Sequence, residues 1–311
     1  MAVSTKRVTL FLFIALAWLT VSPGLEADEF DLSRHSIPVR EILSGGPPKD
    51  GIPAILNPQF LQADRVTFMR EDALVIGVVL NGDAKAYPIR ILNWHEVVND
   101  TIADQPVAIT WCPLTQSAIA FDRRAGGHVK TFGVSGRLYN SNVLIYDRES
   151  ESLWSQLEEA AVTGRLTGTA LRPVQSQLVT WGTWRSLHPG THVLSTVTGH
   201  RRNYQRDPYG RYLRDREPMF PVNHQDSRLP AKTKVLGIEL NGIAKAYPLA
   251  RPKGVARPLI DTLGGQTIQV HRGADGASAF ATDAEGHLLH GTVLYWFAWV
   301  AFHPQTLVYS Q

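Results

Sequence analysis

The sequence is poor in cysteine, in methionine and in net charge. Its 311 residues include one cysteine and three methionines, and its 31 basic and 28 acidic residues leave a formal charge of +3. Because Cys112 has no second cysteine to pair with, an internal disulfide is excluded. So small a surplus of positive charge does not favour a nucleic-acid-binding surface, and we expect no nucleic-acid partner. The sequence suggests no nucleotide cofactor either, and its partners are unknown.

Long apolar segments are absent beyond the N-terminus. Residues 8–21 form the one extended apolar run, which a Lys-Arg pair precedes and a Pro-Gly pair follows. A membrane-spanning helix needs about 20 apolar residues. The shorter run therefore predicts a secretory signal peptide over residues 1–27, with cleavage after Ala27. The mature chain is then expected to be secreted or periplasmic, without a membrane span.

An exported protein with one unpaired cysteine calls for a specific explanation. Exported proteins usually pair their cysteines or lack them. Cys112 is then interpreted as a metal ligand, a reactive nucleophile or a link to another chain. The alternative is an inert, buried cysteine that packs as a small apolar side chain.

One segment of the sequence occurs twice. Residues 75–88 return as residues 235–248, and both contain an Asn-Gly pair followed by Ala-Lys-Ala-Tyr-Pro. Asn-Gly between two β-branched runs is typical of a β-hairpin. We therefore predict a mainly β fold, α+β with few short helices, in which two duplicated, hairpin-containing modules pack as one globular body.

The repeat also divides the chain. After the signal peptide, residues 28–198 form the first module, residues 199–230 a connection, and residues 231–311 a second, degenerate module with a C-terminal helix. The connection is rich in arginine, aspartate, proline and tyrosine, and it is long for a loop without structure. We expect it to drape over the body with a functional role, or to contain strands that the pattern does not reveal.

Helical spacing of apolar residues appears in three places. It predicts helices over residues 89–98, from the N-cap Thr180 to residue 187, and over residues 293–302. The tryptophans near them are interpreted mainly as core residues. The polar pair Ser155-Gln156, after Trp154, is interpreted as a turn cap.

Differences between the two repeats indicate where specialised chemistry lies. His95 and Glu96 follow the first hairpin, and Cys112 follows a predicted strand; the second repeat has neither a histidine nor a cysteine at the corresponding places. Residues that differ between the repeats are not required by a shared fold. The site is therefore expected in the first module.

Three functions remain open on these residues. In the first, Cys112 and His95 bind a transition metal, copper before zinc, with His188 and His303 as further candidate ligands. In the second, the chain is a cysteine-nucleophile enzyme acting on an envelope or extracellular substrate, with His95 as base and Glu96 or Asn99 orienting its ring. The third is a non-catalytic binding or structural module whose tryptophans form the contact surface.

The chain resembles a prokaryotic family of unknown function, domain of unknown function 3179. The matching stretches are residues 93–100, 111–115, 133–147, 153–156 and 296–299. The resemblance covers almost the whole mature chain and brings no established activity. Some relatives have a Cys-Pro-Leu-Cys pattern where this chain has Thr115, which argues against a redox pair of cysteines here.

Overall fold

The computed structural model describes residues 30–250 and 257–310. The predicted signal peptide lies outside the described residues. Within them the chain is mainly β, with four short α-helices and several sheets in one globular body, which confirms the predicted fold class. None of the described helices is both long enough and apolar enough to span a bilayer.

The strands before residue 199 carry the site. They are β1 (Leu43–Ser44), β2 (Phe60–Gln62), β3 (Leu74–Leu80), β4 (Asp83–Pro88), β5 (Val97–Ile102), β6 (Gln105–Cys112), β7 (Ser117–Asp122), β8 (Arg124–Ala125), β9 (His128–Val129), β10 (Phe132–Tyr139), β11 (Asn142–Asp147), β12 (Leu153–Ser155), β13 (Ala160–Ala161), β14 (Pro173–Val174), β15 (Ser176–Thr180) and β16 (His192–Leu194).

The remaining strands lie in the C-terminal part. They are β17 (Lys234–Leu240), β18 (Ile243–Pro248), β19 (Leu259–Leu263), β20 (Gln266–Arg272), β21 (Ala279–Asp283), β22 (Leu288–Leu289), β23 (Thr292–Tyr295) and β24 (Leu307–Val308). The α-helices are α1 (Ile89–Leu92), α2 (Trp181–Leu187), α3 (Gly210–Arg214) and α4 (Trp296–Phe302), and two 3-10 turns span Val39–Glu41 and Ala63–Arg65.

Two sheets enclose the centre of the first module. One has the strand order β14-β7-β6-β5, and the other has the order β1-β10-β11-β12-β13. The Asn99 side chain joins them, because its amide donates to Phe132 O and its carbonyl oxygen accepts from Phe132 N, both at 2.8 Å. Phe121 and Trp154, from opposite sheets, belong to the same buried cluster.

The largest sheet crosses the boundary predicted between the modules. Its order is β19-β20-β21-β15-β3-β4-β16-β2, with β22 paired to β21. Leu178 of β15 pairs with Ala279 of β21, so a strand of each predicted module meets in one sheet. A smaller sheet, β23-β17-β18-β24, holds the second hairpin.

The two repeated hairpins have the same register. Pairs run from Val75↔Pro88 to Leu80↔Asp83 in one and from Val235↔Pro248 to Leu240↔Ile243 in the other. Each also binds an aspartate in the same way, since Tyr87 donates to Asp100 at 2.6 Å and Tyr247 donates to Asp261 at 2.8 Å. Duplication of whole modules stays a prediction, which this shared local geometry supports.

Two of the three predicted helices differ from the structure. Helix α1 ends at Leu92, and a strand begins at Val97, so a helix over residues 89–98 is wrong beyond its first turn. Residues 292–295 are strand β23, and α4 begins only at Trp296. Both errors have one cause, because the apolar residues at the mispredicted ends, Val97 and Val98 of β5 and residues 293–295 of β23, are buried in strands. The helix after Thr180 is confirmed, and Thr180 Oγ1 accepts from Thr183 N.

Candidate functional site

Cys112 is the last residue of β6 and is 1% exposed. Its thiol points toward the β10–β11 turn, where Ser141 O accepts from Sγ at 3.9 Å. Burial, and then the charge of Glu96, raises the pKa of the Cys112 thiol to about 11, while hydrogen bonding to Thr115 acts in the opposite direction. The resting side chain is therefore a neutral, buried thiol.

Glu96 is brought to Cys112 by the start of β5. Trp111 N donates to Glu96 O at 2.8 Å, so the backbone of Glu96 lies opposite the end of β6. The φ of Glu96 is 57°, a left-handed conformation that non-glycine residues seldom adopt. Conformations of this kind are often found at functional sites. Here the left-handed residue connects the turn after α1 to the start of β5.

The Glu96 carboxyl group is buried and accepts a hydrogen bond from a tyrosine. Tyr209 OH donates to Oε1 at 3.1 Å. Burial raises the pKa of Glu96 to about 7, and the bond from Tyr209 works against that rise. Burial, followed by the nearby Glu96 and Cys112, raises the pKa of Tyr209 strongly. Cys112, Glu96 and Tyr209 thus form one electrostatically coupled group.

His95 is fully buried, and both of its ring nitrogens have partners outside this group. Nδ1 donates to Pro53 O at 2.7 Å, so the neutral ring accepts through Nε2 from Tyr204 OH, also at 2.7 Å. Thr198 in turn bonds to that hydroxyl at 2.6 Å. Burial lowers the pKa of His95 to about 4. Glu96 therefore acts on Cys112 electrostatically, whereas His95 is hydrogen-bonded to Tyr204.

A segment that we call the strap, residues 199–223, covers these groups. It contains α3 and otherwise no strand or helix among its residues, all of which are described. Besides Tyr204 and Tyr209, it contributes Tyr212, whose hydroxyl donates to Leu114 O at 2.7 Å. Its far end is fixed where Ser141 Oγ donates to Phe220 O at 2.7 Å. The connection predicted from the sequence is draped over the body at Cys112 and Glu96.

Sequence comparison places all of these groups within a single family match. The model of a family described as a protein of unknown function, DUF3179, matches residues 49–294. The chain belongs to this family. No curated protein and no solved structure matches it. The matched DUF3179 region includes Glu96, Cys112 and the whole strap.

The DUF3179 chain also has a buried polar cluster beside Cys112, which the sequence did not reveal. Gln156 is 0% exposed, and its Nε2 donates to Thr110 Oγ1 at 2.8 Å. Its Oε1 accepts from Ser117 Oγ at 2.6 Å and from Asn142 Nδ2 at 2.9 Å. The interpretation of Gln156 as a turn cap is therefore wrong, whereas Ser155 Oγ does accept from Glu158 N at 3.2 Å. The sequence signal that could have indicated a buried Gln156 is its position two residues after the core residue Trp154.

The other predicted metal ligands lie at the ends of helices. His188 follows α2, and the centroid of its ring is 4.2 Å from that of Trp184. His303 follows α4, and the centroid of its ring is 3.8 Å from that of Trp299. His303 Nδ1 is also 3.3 Å from a carboxylate oxygen of Glu239. Both histidines pack on the tryptophan of the preceding turn.

Within the described residues, one group of three side chains has the spacing of metal ligands. It consists of Asp283, Glu285 and His287 near a surface turn, where such groups are common without a metal. It includes none of the predicted ligands Cys112, His95, His188 and His303. A copper or zinc site in this DUF3179 chain stays a prediction.

Proposed function

We propose that this chain is a cysteine-nucleophile enzyme in which Glu96 is the proton acceptor for Cys112. One observation carries the proposal: the 2.8 Å bond from Trp111 N to Glu96 O holds Glu96 opposite the end of β6, where its buried carboxyl group, with a pKa of about 7, acts electrostatically on the chain's single thiol. Strongly shifted carboxyl groups beside a nucleophile are characteristic of active sites. A base is most effective when its pKa is near the working pH.

The proposed reaction is acyl transfer. The Glu96 carboxylate accepts the Sγ proton, and the Cys112 sulfur forms a bond to the carbonyl carbon of an acyl substrate. When the carbon–leaving-group bond breaks, the protonated Glu96 returns that proton to the leaving group. Water then adds to the carbonyl carbon of the resulting thioester, the carbon–sulfur bond breaks to release the carboxylic acid, and a proton from the water returns to the Cys112 sulfur. Tyr209 is a positioning residue, because its hydroxyl holds one carboxyl oxygen of Glu96.

His95 supports the geometry of this site and is not the base. Its Nε2 is already the acceptor for Tyr204, and its pKa of about 4 keeps the ring neutral at pH 7. Its part in the proposal is to fix the strap above Glu96. This role replaces that of the base suggested by residue types alone.

Covalent labelling tests the proposal. Purified mature protein is incubated with p-nitrophenyl acetate, and the acyl adduct is located by mass spectrometry. We expect acetylation of Cys112, a strongly reduced rate in Glu96→Gln, and a near-normal rate in the matched variant Glu285→Gln on the exposed turn. Equal rates in wild type and Glu96→Gln would contradict a role for Glu96.

A metal assay on the same protein preparation distinguishes the proposed enzyme function from the predicted metal-binding function. Copper and zinc are measured by mass spectrometry after loading and dialysis, in wild type and in Cys112→Ser. Stoichiometric metal that depends on Cys112 would favour the predicted copper or zinc site over the enzyme. Our proposal predicts that wild type and Cys112→Ser retain the same amount of copper or zinc.

Export is also part of the proposal. The predicted signal peptide directs the chain to the periplasm or the medium, and cleavage after Ala27 leaves Asp28 as the first residue. N-terminal sequencing of protein recovered from a bacterial periplasm is expected to begin at Asp28. Protein found in the cytoplasm with its first 27 residues attached would contradict it.

A further inference from the structure

A cavity of about 430 Å³ opens between the strap and the loop that follows Cys112. Gln116 of that loop lines it, and the Gln116 amide donates to Pro113 O at 3.2 Å. Tyr204 and Leu213 of the strap also line the cavity, as does Asn93. The cavity adjoins the site through the strap, because Asp207 in its lining is two residues from Tyr209, whose hydroxyl binds Glu96.

Basic groups outnumber acidic groups in this cavity. Its lining includes four basic residues and two acidic ones, namely Arg70, Arg90, Arg206 and Lys234 with Asp72 and Asp207. Both carboxylates are already bound: Asp72 accepts from Arg70 Nε at 3.2 Å, and Asp207 accepts from Asn93 Nδ2 at 3.2 Å. Four cations and two carboxylates leave an excess of two positive charges in this lining.

Two of the four basic side chains are available for a ligand. Arg90 is occupied, because its guanidinium donates to Tyr204 O, Phe68 O and Gln205 Oε1. Within the residues that the structure describes, the Arg206 guanidinium and the Lys234 ammonium make no side-chain hydrogen bond and no ion pair. Arg206 is exposed, and Lys234 is half-buried.

Of these two cations, Lys234 is the more unusual, because it is half-buried and has no ion-pair partner among the described residues. Burial lowers the pKa of its ammonium, and the charge of Asp275 acts against that effect without forming an ion pair. Withdrawing a cation from water without a close counter-ion costs free energy. A bound anion would offset that cost.

The repeated hairpins show that the fold does not require a lysine at this position. Lys234 is the first residue of β17, and Leu74 is the first residue of β3; both line the cavity. The two hairpins have the same register, so Leu74 and Lys234 occupy equivalent places. A leucine serves at this position in one hairpin, and the lysine in the other has some further use.

We propose that this cavity binds an anionic oxygen group, a carboxylate or a phosphate, with the Lys234 ammonium as its main contact and the Arg206 guanidinium at its rim. Such a group needs no change in the backbone, because the cations already line the cavity. That this anion belongs to the substrate of Cys112 rests on the proposed function, whereas anion binding itself does not.

Calorimetric titration with inorganic phosphate and with succinate tests the proposal. We expect wild type to bind at least one of them, and Lys234→Leu to bind it about tenfold or more weakly, since a half-buried charged contact is lost. Arg206→Gln should weaken binding by a smaller factor, and the matched variant Arg40→Gln, on an exposed arginine elsewhere, should not. Preference for phosphate or for succinate assigns the anion to a phosphate ester or to a carboxylate.

The stability of the variants keeps the test decisive. Lys234→Leu copies the first hairpin, so its melting temperature should equal or exceed that of wild type; Lys234→Gln serves if it does not fold. Absence of binding to wild type at millimolar anion, or equal binding by wild type and both Lys234 variants, would overturn the proposal. Cys112→Ser should still bind the anion, which separates failure of this site from failure of the thiol chemistry.

Discussion

Glu96 and His95 are neighbours in sequence whose buried side chains have opposite responses to burial. Desolvation disfavours the charged form of each, so the pKa of the Glu96 acid rises and that of the His95 base falls. At pH 7 this leaves His95 neutral and Glu96 near its midpoint. Only Glu96 can exchange a proton readily under these conditions.

Substitution of Glu96 should change how stability depends on pH. Because its pKa rises from an ordinary 4.5 to about 7, the folded chain holds this proton more tightly than the unfolded chain. The resulting stability is complete below pH 4.5 and is lost as the pH rises through 7. The free energy of unfolding of wild type relative to Glu96→Gln should therefore fall by about 3 kcal/mol between pH 4 and pH 8. Urea denaturation across that range measures it, and a constant difference would count against a buried acid.

Substitution of His95 should have the opposite effect. Its pKa falls from an ordinary 6.5 to about 4, so its contribution to stability is complete above pH 6.5 and is lost as the pH falls through 4. Relative to His95→Gln, wild type should lose about 3 kcal/mol of unfolding free energy between pH 7.5 and pH 3.5. Denaturation curves for the two proteins give this difference. If wild type became more stable relative to His95→Gln on acidification, the result would contradict a neutral, buried His95 ring.

At the level of elements, each repeated hairpin packs a glycine against the tryptophan of a following helix. A Cβ on Gly77 would lie 2.3 Å from Trp184 Cε3, and one on Gly237 would lie 2.2 Å from Trp299 Cε3. The indole NH of Trp184 donates to Thr191, and that of Trp299 donates to Thr306. Each ring is held by this hydrogen bond and cannot withdraw freely.

Alanine at either glycine should therefore destabilise the chain. We expect Gly77→Ala and Gly237→Ala each to lower the free energy of unfolding by about 1–3 kcal/mol, as overpacking does in other cores. The matched control is Gly190→Ala, because a Cβ there meets nothing within 4 Å. Chemical denaturation of the three variants checks this prediction. Equal stability of all three would show that the rings can shift.

The hairpins were predictable from the sequence, and the site was predictable only in part. Asn-Gly turns between β-branched runs are local signals, so the two hairpins and the helix after Thr180 followed directly. Cys112 stood out as the one cysteine, and Glu96 as a neighbour of His95. The role of Tyr209 did not, because the strap joins residues more than 100 positions apart through irregular backbone, which has no periodic pattern. The left-handed φ of Glu96 has no sequence signal either.

For the whole molecule, the predicted modules share their interior. One buried cluster contains Ile76 of the first hairpin together with Leu236 of the second, and another contains Cys112 together with Trp296. Strands β15 and β21 join the modules within one sheet. The part that carries the site is therefore stabilised by contacts with the C-terminal part.

Unfolding should accordingly be a single cooperative transition. Urea titration followed by tryptophan fluorescence and by far-ultraviolet circular dichroism should give coincident curves, because the two largest buried clusters each contain residues of both modules. Two separated transitions would indicate that the modules fold independently.

The pH dependence of Cys112 alkylation tests the central claim most directly, namely that Cys112 and Glu96 form one centre. Rates with iodoacetamide are measured for wild type, Glu96→Gln and His95→Gln. In wild type we expect the rate to rise with an inflection near pH 7, where Glu96 loses its proton, well below the thiol pKa of about 11. His95→Gln should retain the inflection, and Glu96→Gln should lack it. An inflection that persists in Glu96→Gln, or that disappears in His95→Gln alone, would contradict the account.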